Sequence, residues 1–167
     1  RTDGFGTADA ATTTFVYDKA GNTLEEQDAR AAALGEPWPV KRTWDELNRL
    51  DTETDGEGNL NDYGYDPEGH RTSTTTPKGK TTTFEYDELG KLTKVIQPPP
   101  NPSLDPTPLK TEYAYDENRN RTRQTDANGH AVAMEYDELS RLKKTTQDPG
   151  GLNLVSETVR FDENGNP

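Results

Sequence analysis

Cysteine is absent from the 167-residue chain, which excludes a disulfide framework, a thiolate nucleophile and any Cys-based metal site. Apolar side chains are scarce as well. Hydrophobic residues make up 28% of the sequence against the usual near-half, and Leu, Ile, Val and Phe together number only 24. No apolar run approaches the length of a membrane-spanning helix or a signal-peptide core. Positive charge is in deficit: 19 Lys and Arg face 31 Asp and Glu, a net charge of −12. With no basic stripe interleaved with aromatics, that balance argues against a nucleic-acid or anionic-membrane surface. Neither a phosphate-cradling glycine loop nor a nucleophile elbow occurs, and no cofactor is expected.

So polar a composition would by itself suggest disorder. Against this stand 24 threonines, a residue that favours strands over coil, and a strong internal repeat. An aromatic residue followed by Asp recurs in YDKAGN at 17, WDELNR at 44, YDPEGH at 65, YDELGK at 86, YDENRN at 115, YDELSR at 136 and FDENGN at 161. The intervals are 27, 21, 21, 29, 21 and 25 residues, so the base period is 21 and the longer intervals carry insertions. Take the ring as position zero: Tyr17, Trp44, Tyr65, Tyr86, Tyr115, Tyr136, Phe161. Position +1 is then always Asp, at Asp18, Asp45, Asp66, Asp87, Asp116, Asp137 and Asp162. Position +4 is Gly21, Gly69, Gly90 and Gly165, replaced by Asn48, Arg119 and Ser140 in the other units. Position −2 holds Phe15, Tyr63, Phe84, Tyr113, Met134 and Val159, and breaks to Arg42 in the second unit.

Backbone chemistry accounts for this pattern. Bulky residues two apart share one face of a strand. Asp-x-x-Gly then predicts a type I turn. The Asp carboxylate accepts the N–H two residues on, and Gly takes a positive φ in the bulge that joins two antiparallel strands. Asn48 tolerates that conformation; Arg119 does so poorly. Leu50, Leu92 and Leu142 follow at +6, and a second turn signal lies about 14 residues past the ring, at Gly58, Gly79, Gly129 and Gly150. Two strands and two short turns fill a 21-residue period. The expected fold is therefore all-β: tandem antiparallel β-hairpins forming one continuous, curved and twisted sheet. The Asp is a turn-former and the ring is the apolar anchor of a unit too polar to stand alone. A tandem series of catalytic aspartates would have no purpose, so no catalytic residue is assigned and no enzyme is expected.

YDELGKL at 86–92, with WDELNRL and YDELSRL beside it, resembles the YD repeat, also called the Rhs repeat. Its signature is Tyr-Asp-x-x-Gly-Arg/Lys/Asn-Leu followed by a Gly-containing turn. The resemblance covers residues 13–167 as about six units, the last truncated, with 1–12 as an N-terminal strand or extension. Insertions fall near 25–40 and 97–110. The family includes bacterial Rhs polymorphic toxins, the B and C components of insecticidal toxin complexes, and teneurins. The resemblance implies that the sheet is a segment of a spiral β-shell that, in the bacterial toxins, encloses a polypeptide cargo. It implies further a non-catalytic structural fragment of a large secreted or cell-surface bacterial protein. The implied partners are the rest of the shell and the cargo. Both ends of the chain read as cut, and self-association through sheet edges is a further expectation. The alternative is an extracellular glycan- or protein-binding repeat module of a cell-surface protein.

Other motifs are thinner. DPGGL at 148–152 is similar to the family's cleavage region, but Gly150 sits where other units place their second turn. Asp148 is therefore not assigned a catalytic role. No metal site is assigned, although Asp51, Glu53, Asp55, Asn59 and Asp62 fall at EF-hand loop positions 1, 3, 5, 9 and 12. This candidate cation loop spans a turn where flanking helices should be absent, so a solvated acidic hairpin is the plainer reading. His70 and His130 lie beside turns and read as surface residues. Asn120-Arg121-Thr122 is a glycosylation sequon. The stretch 97–110 holds six prolines and is expected to form an extended loop at a hairpin end. Residues 25–34 have helix-favouring composition and predict a short helix or ordered loop, with Trp38 either packing back on the sheet or binding a partner.

Overall fold

The computed structural model describes residues 12–29, 39–148 and 154–157. Ring- and threonine-bearing segments form strands β1 to β13, and within each compact unit hydrogen-bonded neighbours follow chain order. The chain divides into two compact units: residues 1–64 with 74–79, and residues 65–73 with 80–167. The first contains β1 (Thr14–Tyr17), β2 (Thr23–Gln27), β3 (Val40–Trp44), β4 (Leu50–Thr54) and β5 (Leu60–Tyr65) as far as Gly64. Each pairing described within it is antiparallel. The second contains β6 (Arg71–Thr75) as far as Ser73, β7 (Thr81–Tyr86), β8 (Leu92–Gln97) and β9 (Leu109–Tyr115). Its remaining strands are β10 (Arg121–Thr125), β11 (Ala131–Tyr136), β12 (Leu142–Asp148) and β13 (Leu154–Glu157). Pairing from β7 to β13 is antiparallel throughout.

The register carries a feature that simple alternation does not anticipate. Position zero pairs with +6, as in Tyr17↔Thr23, Trp44↔Leu50, Tyr86↔Leu92, Tyr115↔Arg121 and Tyr136↔Leu142. Position −1, one residue back, pairs with +8, as in Glu85↔Lys94 and Glu135↔Lys144. The residue at +7 is skipped, a β-bulge repeated in every hairpin for which both strands are paired in register. The returning strand therefore presents +6 and +9 on the ring face, opposite zero and −2. That puts Val95 across from Phe84, and Glu53 across from Arg42. The missing ring of the second unit is explained there: Arg42 bridges Glu53 on β4 at 2.9 Å and Glu26 on β2 at 3.1 Å. An ion-paired guanidinium takes the place of an apolar cross-strand pair.

Burial is slight. Among the described residues only Ala131 is buried, at 5% exposure, and the rings of β7, β9 and β11 are half-buried. Stability thus rests on ladder hydrogen bonds, turns and ring contacts between strands, rather than on a core between two layers. Phe15, Val16 and Tyr17 on β1 are exposed.

The start of the segment 25–34 is a strand where composition favours a helix, and Ala29, the last residue described before position 30, is helical. Glu25, Glu26 and Gln27 belong to β2, paired with Val16, Phe15 and Thr14. Cross-strand pairing and the Glu26–Arg42 ion pair outweigh a helix propensity of a few tenths of a kcal/mol per residue. Residues 30–38, including Trp38, lie outside the described residues, as do Gly150, Phe161 and Asp162. All six prolines of 97–110 fall between β8 and β9. Asn101 shapes that loop, its backbone carbonyl accepting the Leu104 and Asp105 N–H groups.

Candidate functional site

The recurrent Asp organises each described turn through its carboxylate, with both oxygens engaged at Asp18, Asp45, Asp66, Asp116 and Asp137 and Oδ1 at Asp87. In the turn at 45, Asp45 Oδ1 accepts the Leu47 and Arg49 backbone N–H groups, both at 2.9 Å, while Oδ2 accepts Arg49 Nε at 2.7 Å. Asp137 repeats the arrangement with Leu139, Arg141 and Arg141 Nε. Asp18 does so with Ala20, Asn22 and Asn22 Nδ2, and Asp87 with the Leu89 and Lys91 amides. Asp116 takes both groups of Asn120, and Asp66 the amide and Nδ1 of His70. The backbone closes the loop: the Asp N–H donates to the +5 carbonyl and the +4 N–H donates to the Asp carbonyl. Residue +4 consequently lies in the left-handed region whether or not it is glycine. Gly90 has φ 73°, but Asn48, Arg119 and Ser140 have 58°, 68° and 60°.

These turns hold their carboxylates in the charged form. Hydrogen bonds from the Asn22 side chain and backbone keep Asp18 below the ordinary carboxylate value. The Arg49 backbone N–H does the same for Asp45, and that of Arg141 for Asp137, each helped by its guanidinium. For Asp66, partial desolvation pulls the other way, yet the His70 side chain and amide keep the net shift downward.

Two sets of contacts join one turn to the next. In the first, the polar tip of four rings donates to the main chain of the preceding repeat. Trp44 Nε1 reaches the Thr23 carbonyl at 3.0 Å, and Tyr86 Oη the Arg71 carbonyl at 2.9 Å. Tyr115 Oη reaches Leu92 at 2.9 Å, and Tyr136 Oη reaches Arg121 at 3.0 Å. All four acceptors stand at position +6. In the second, the +5 side chain lies against the following unit. His70 stacks on Tyr86 with centroids 4.7 Å apart, and Lys91 Nζ sits 5.9 Å from the Tyr115 centroid. The ring is therefore an anchor at its face and a hydrogen-bond donor at its tip, and only the first role follows from counting apolar positions. A signal for the second was present: the described acceptor-seeking rings are Trp and Tyr, and position +5 (Asn22, Arg49, His70, Lys91, Asn120, Arg141) always carries a donor.

The second turns copy the first. Asp55 Oδ1 accepts Glu57 and Asn59 amides at 2.9 Å, and Asp126 Oδ1 accepts Asn128 and His130 amides at 2.9 Å. Gly58, Gly79 and Gly129 have positive φ. The glycines were the legible signal of these turns, and the capping role of Asp55 and Asp126 came from the structure.

The candidate cation loop is not brought together. Asp51 Oδ2 accepts the Thr43 hydroxyl at 3.1 Å, Glu53 holds Arg42, and Asp55 with Asn59 closes its own turn. Asp62 pairs with Thr52, and Glu53 with Asn61, so Glu53 and Asp62 point to opposite faces. Among the described residues no three His, Cys, Asp or Glu side chains are placed to hold a metal ion. His70 and His130 each direct Nδ1 to the Asp four residues back, at 2.9 and 3.3 Å. The sequon Asn120 is engaged by Asp116 and by Ser140 Oγ at 3.1 Å, a half-buried place for an amide that would carry a glycan.

Comparison with known proteins agrees with this geometry. The RHS Repeat family model matches residues 63–98 and 115–152. No curated protein sequence matches the chain. Among solved structures, a chain of the Photorhabdus luminescens Tc holotoxin pore superposes with a TM-score of 0.60 at 13% identity, over 87% of this chain and 9% of that one. A crystal structure of TcdB2-TccC3-TEV superposes with a TM-score of 0.49 at 15% identity, over 80% of this chain and 9% of that one. At such identity the first likeness concerns the fold, and this chain spans less than a tenth of the length of either neighbour.

Proposed function

We propose, from the premise that this chain carries RHS repeats, that it serves as a structural segment of a repeat-built shell. That shell would enclose a polypeptide cargo within a larger secreted bacterial protein. The observation that carries this reading is the use made of the repeated residues. Each described signature carboxylate is spent on its own turn, and Trp44, Tyr86, Tyr115 and Tyr136 tie neighbouring units together. Groups committed in this way hold a wall together and take no part in turnover, so the segment is non-catalytic. No described helix is long and apolar enough to cross a membrane, a statement that leaves β-barrel crossing aside.

Protease protection tests the proposal. In the intact parent protein, the enclosed segment should resist a protease that digests it when expressed alone. Tyr86→Ala with Asp137→Ala should open the wall and abolish protection. Rapid digestion of the segment in the intact parent would defeat the shell reading. Glycan-array binding that is lost on changing loop residues such as Leu104, which is 84% exposed, with folding intact, would favour a binding module instead. Turnover of a peptide or glycan by the purified chain would overturn the non-catalytic assignment.

A further inference from the structure

At three described junctions, positions +5 and +4 meet across successive hairpins and their side chains differ in a matched way; Arg119, which follows Lys91, is outside the pattern. Where +5 is His70, the following +4 is Gly90, and a Cβ built on Gly90 would lie 2.5 Å from His70 Nε2. The imidazole has little room to yield, because Nδ1 is held by Asp66 and the ring is stacked on Tyr86. Where +5 is the shorter Asn22, the following +4 is Asn48, and Asn22 Nδ2 donates to Asn48 Oδ1 at 2.8 Å. Where +5 is Asn120, the following +4 is Ser140, and Asn120 Nδ2 donates to Ser140 Oγ at 3.1 Å. A side chain at +4 must adopt a left-handed backbone, which costs about 1–2 kcal/mol for most residues. Asn48 and Ser140 each gain a hydrogen bond that glycine could not supply.

We infer that +5 of one hairpin and +4 of the next form a matching pair that determines which hairpin can follow which: a filled ring demands glycine, and a short amide demands a small polar acceptor. The family consensus of glycine at +4 is then a consequence of what sits in the preceding turn as well as of backbone conformation. Part of the pairing specificity therefore resides in the turns, beside strand-to-strand contacts such as Glu26–Arg42, whereas the backbone ladders alone would accept any neighbour.

Double-mutant cycles read by thermal unfolding test this. Gly90→Ser should lower the melting temperature more than the control Gly129→Ser, whose Cβ meets nothing within 4 Å at a similar φ of 83°. Adding His70→Asn to Gly90→Ser installs the Asn120–Ser140 combination and should recover at least about 2 °C relative to the sum of the single changes. The reciprocal cycle should behave alike: Asn120→His alone is harmful, and Ser140→Gly relieves it. If Gly90→Ser fails to fold, folding of the double variant supports the pairing, and otherwise the reciprocal cycle decides. Additive effects in the reciprocal cycle, or in both, would overturn the inference.

Discussion

A single residue shows best how far the turn overrides local preference. Arg119 adopts φ 68° to keep its N–H on the Asp116 carbonyl at 2.9 Å, and among the described residues no side-chain hydrogen bond or ion pair offsets that conformation. Arg119→Gly should therefore stabilise the chain by about 0.5–1 kcal/mol: relief of left-handed strain exceeds the added entropy of the unfolded chain. Chemical denaturation would reveal it as a higher midpoint at unchanged slope. Tyr86 separates the two roles of a ring. Burial pushes its phenol above the ordinary value, with the negative charge of Asp66 adding to the effect. Tyr86→Phe removes only the donor to Arg71 and should cost about 0.5–1.5 kcal/mol. Tyr86→Ala also removes the stack under His70 and should cost roughly twice as much or more. Equal losses in the two variants would show that the ring face contributes nothing.

At the level of the turn, the carboxylates predict an acid transition. The folded values of Asp18, Asp45, Asp55, Asp116 and Asp137 lie below the ordinary 3.8, so these turns bind protons less readily than the unfolded chain does. Their contribution is complete above 3.8 and is lost as pH falls through the lower folded values. Melting temperature should therefore hold steady near neutrality and fall below about pH 4. Asp137→Asn mimics the protonated state, so the gap between it and the parent should close as the solution is acidified. A gap that stays constant to pH 2 would mean that the Asp137 charge does not hold its turn. The turn was the most legible element of the chain, because Asp-x-x-Gly encodes its own geometry within five residues. The +7 bulge was not legible. It emerges from closing a turn of that length between two laddered strands, and no residue type marks the position: Leu24, Asp51, Thr93, Thr122 and Lys143 occupy it.

Among the described residues of the second unit, one buried residue and many strand-to-strand contacts predict stability that passes from neighbour to neighbour. Asp137→Ala should lower amide-exchange protection most in β11 and β12, less in β10, and little in β7 and β8. A uniform loss across the unit would indicate a cooperative core that the burial pattern does not contain. The same arrangement bears on function. A repeat that spends its polar groups on turns and its rings on neighbours can extend a wall, and what distinguishes one such chain from another falls to its insertions, such as the proline-rich loop between β8 and β9.

From the order of residues alone came the hairpin, its period, the Asp turn and the side of the strand that carries the rings, since each depends on groups within a few positions of one another. Folding in three dimensions decided the rest: that the Tyr and Trp tips reach a carbonyl in the preceding unit, that Arg42 substitutes for a ring by bridging two strands, that 25–27 extend where their composition favours a helix, and that the acidic loop at 51–62 is divided between two faces. Those outcomes depend on which atoms become neighbours when strands pair, a matter of register between strands and not of adjacent positions along the chain, and local propensity has no information about it.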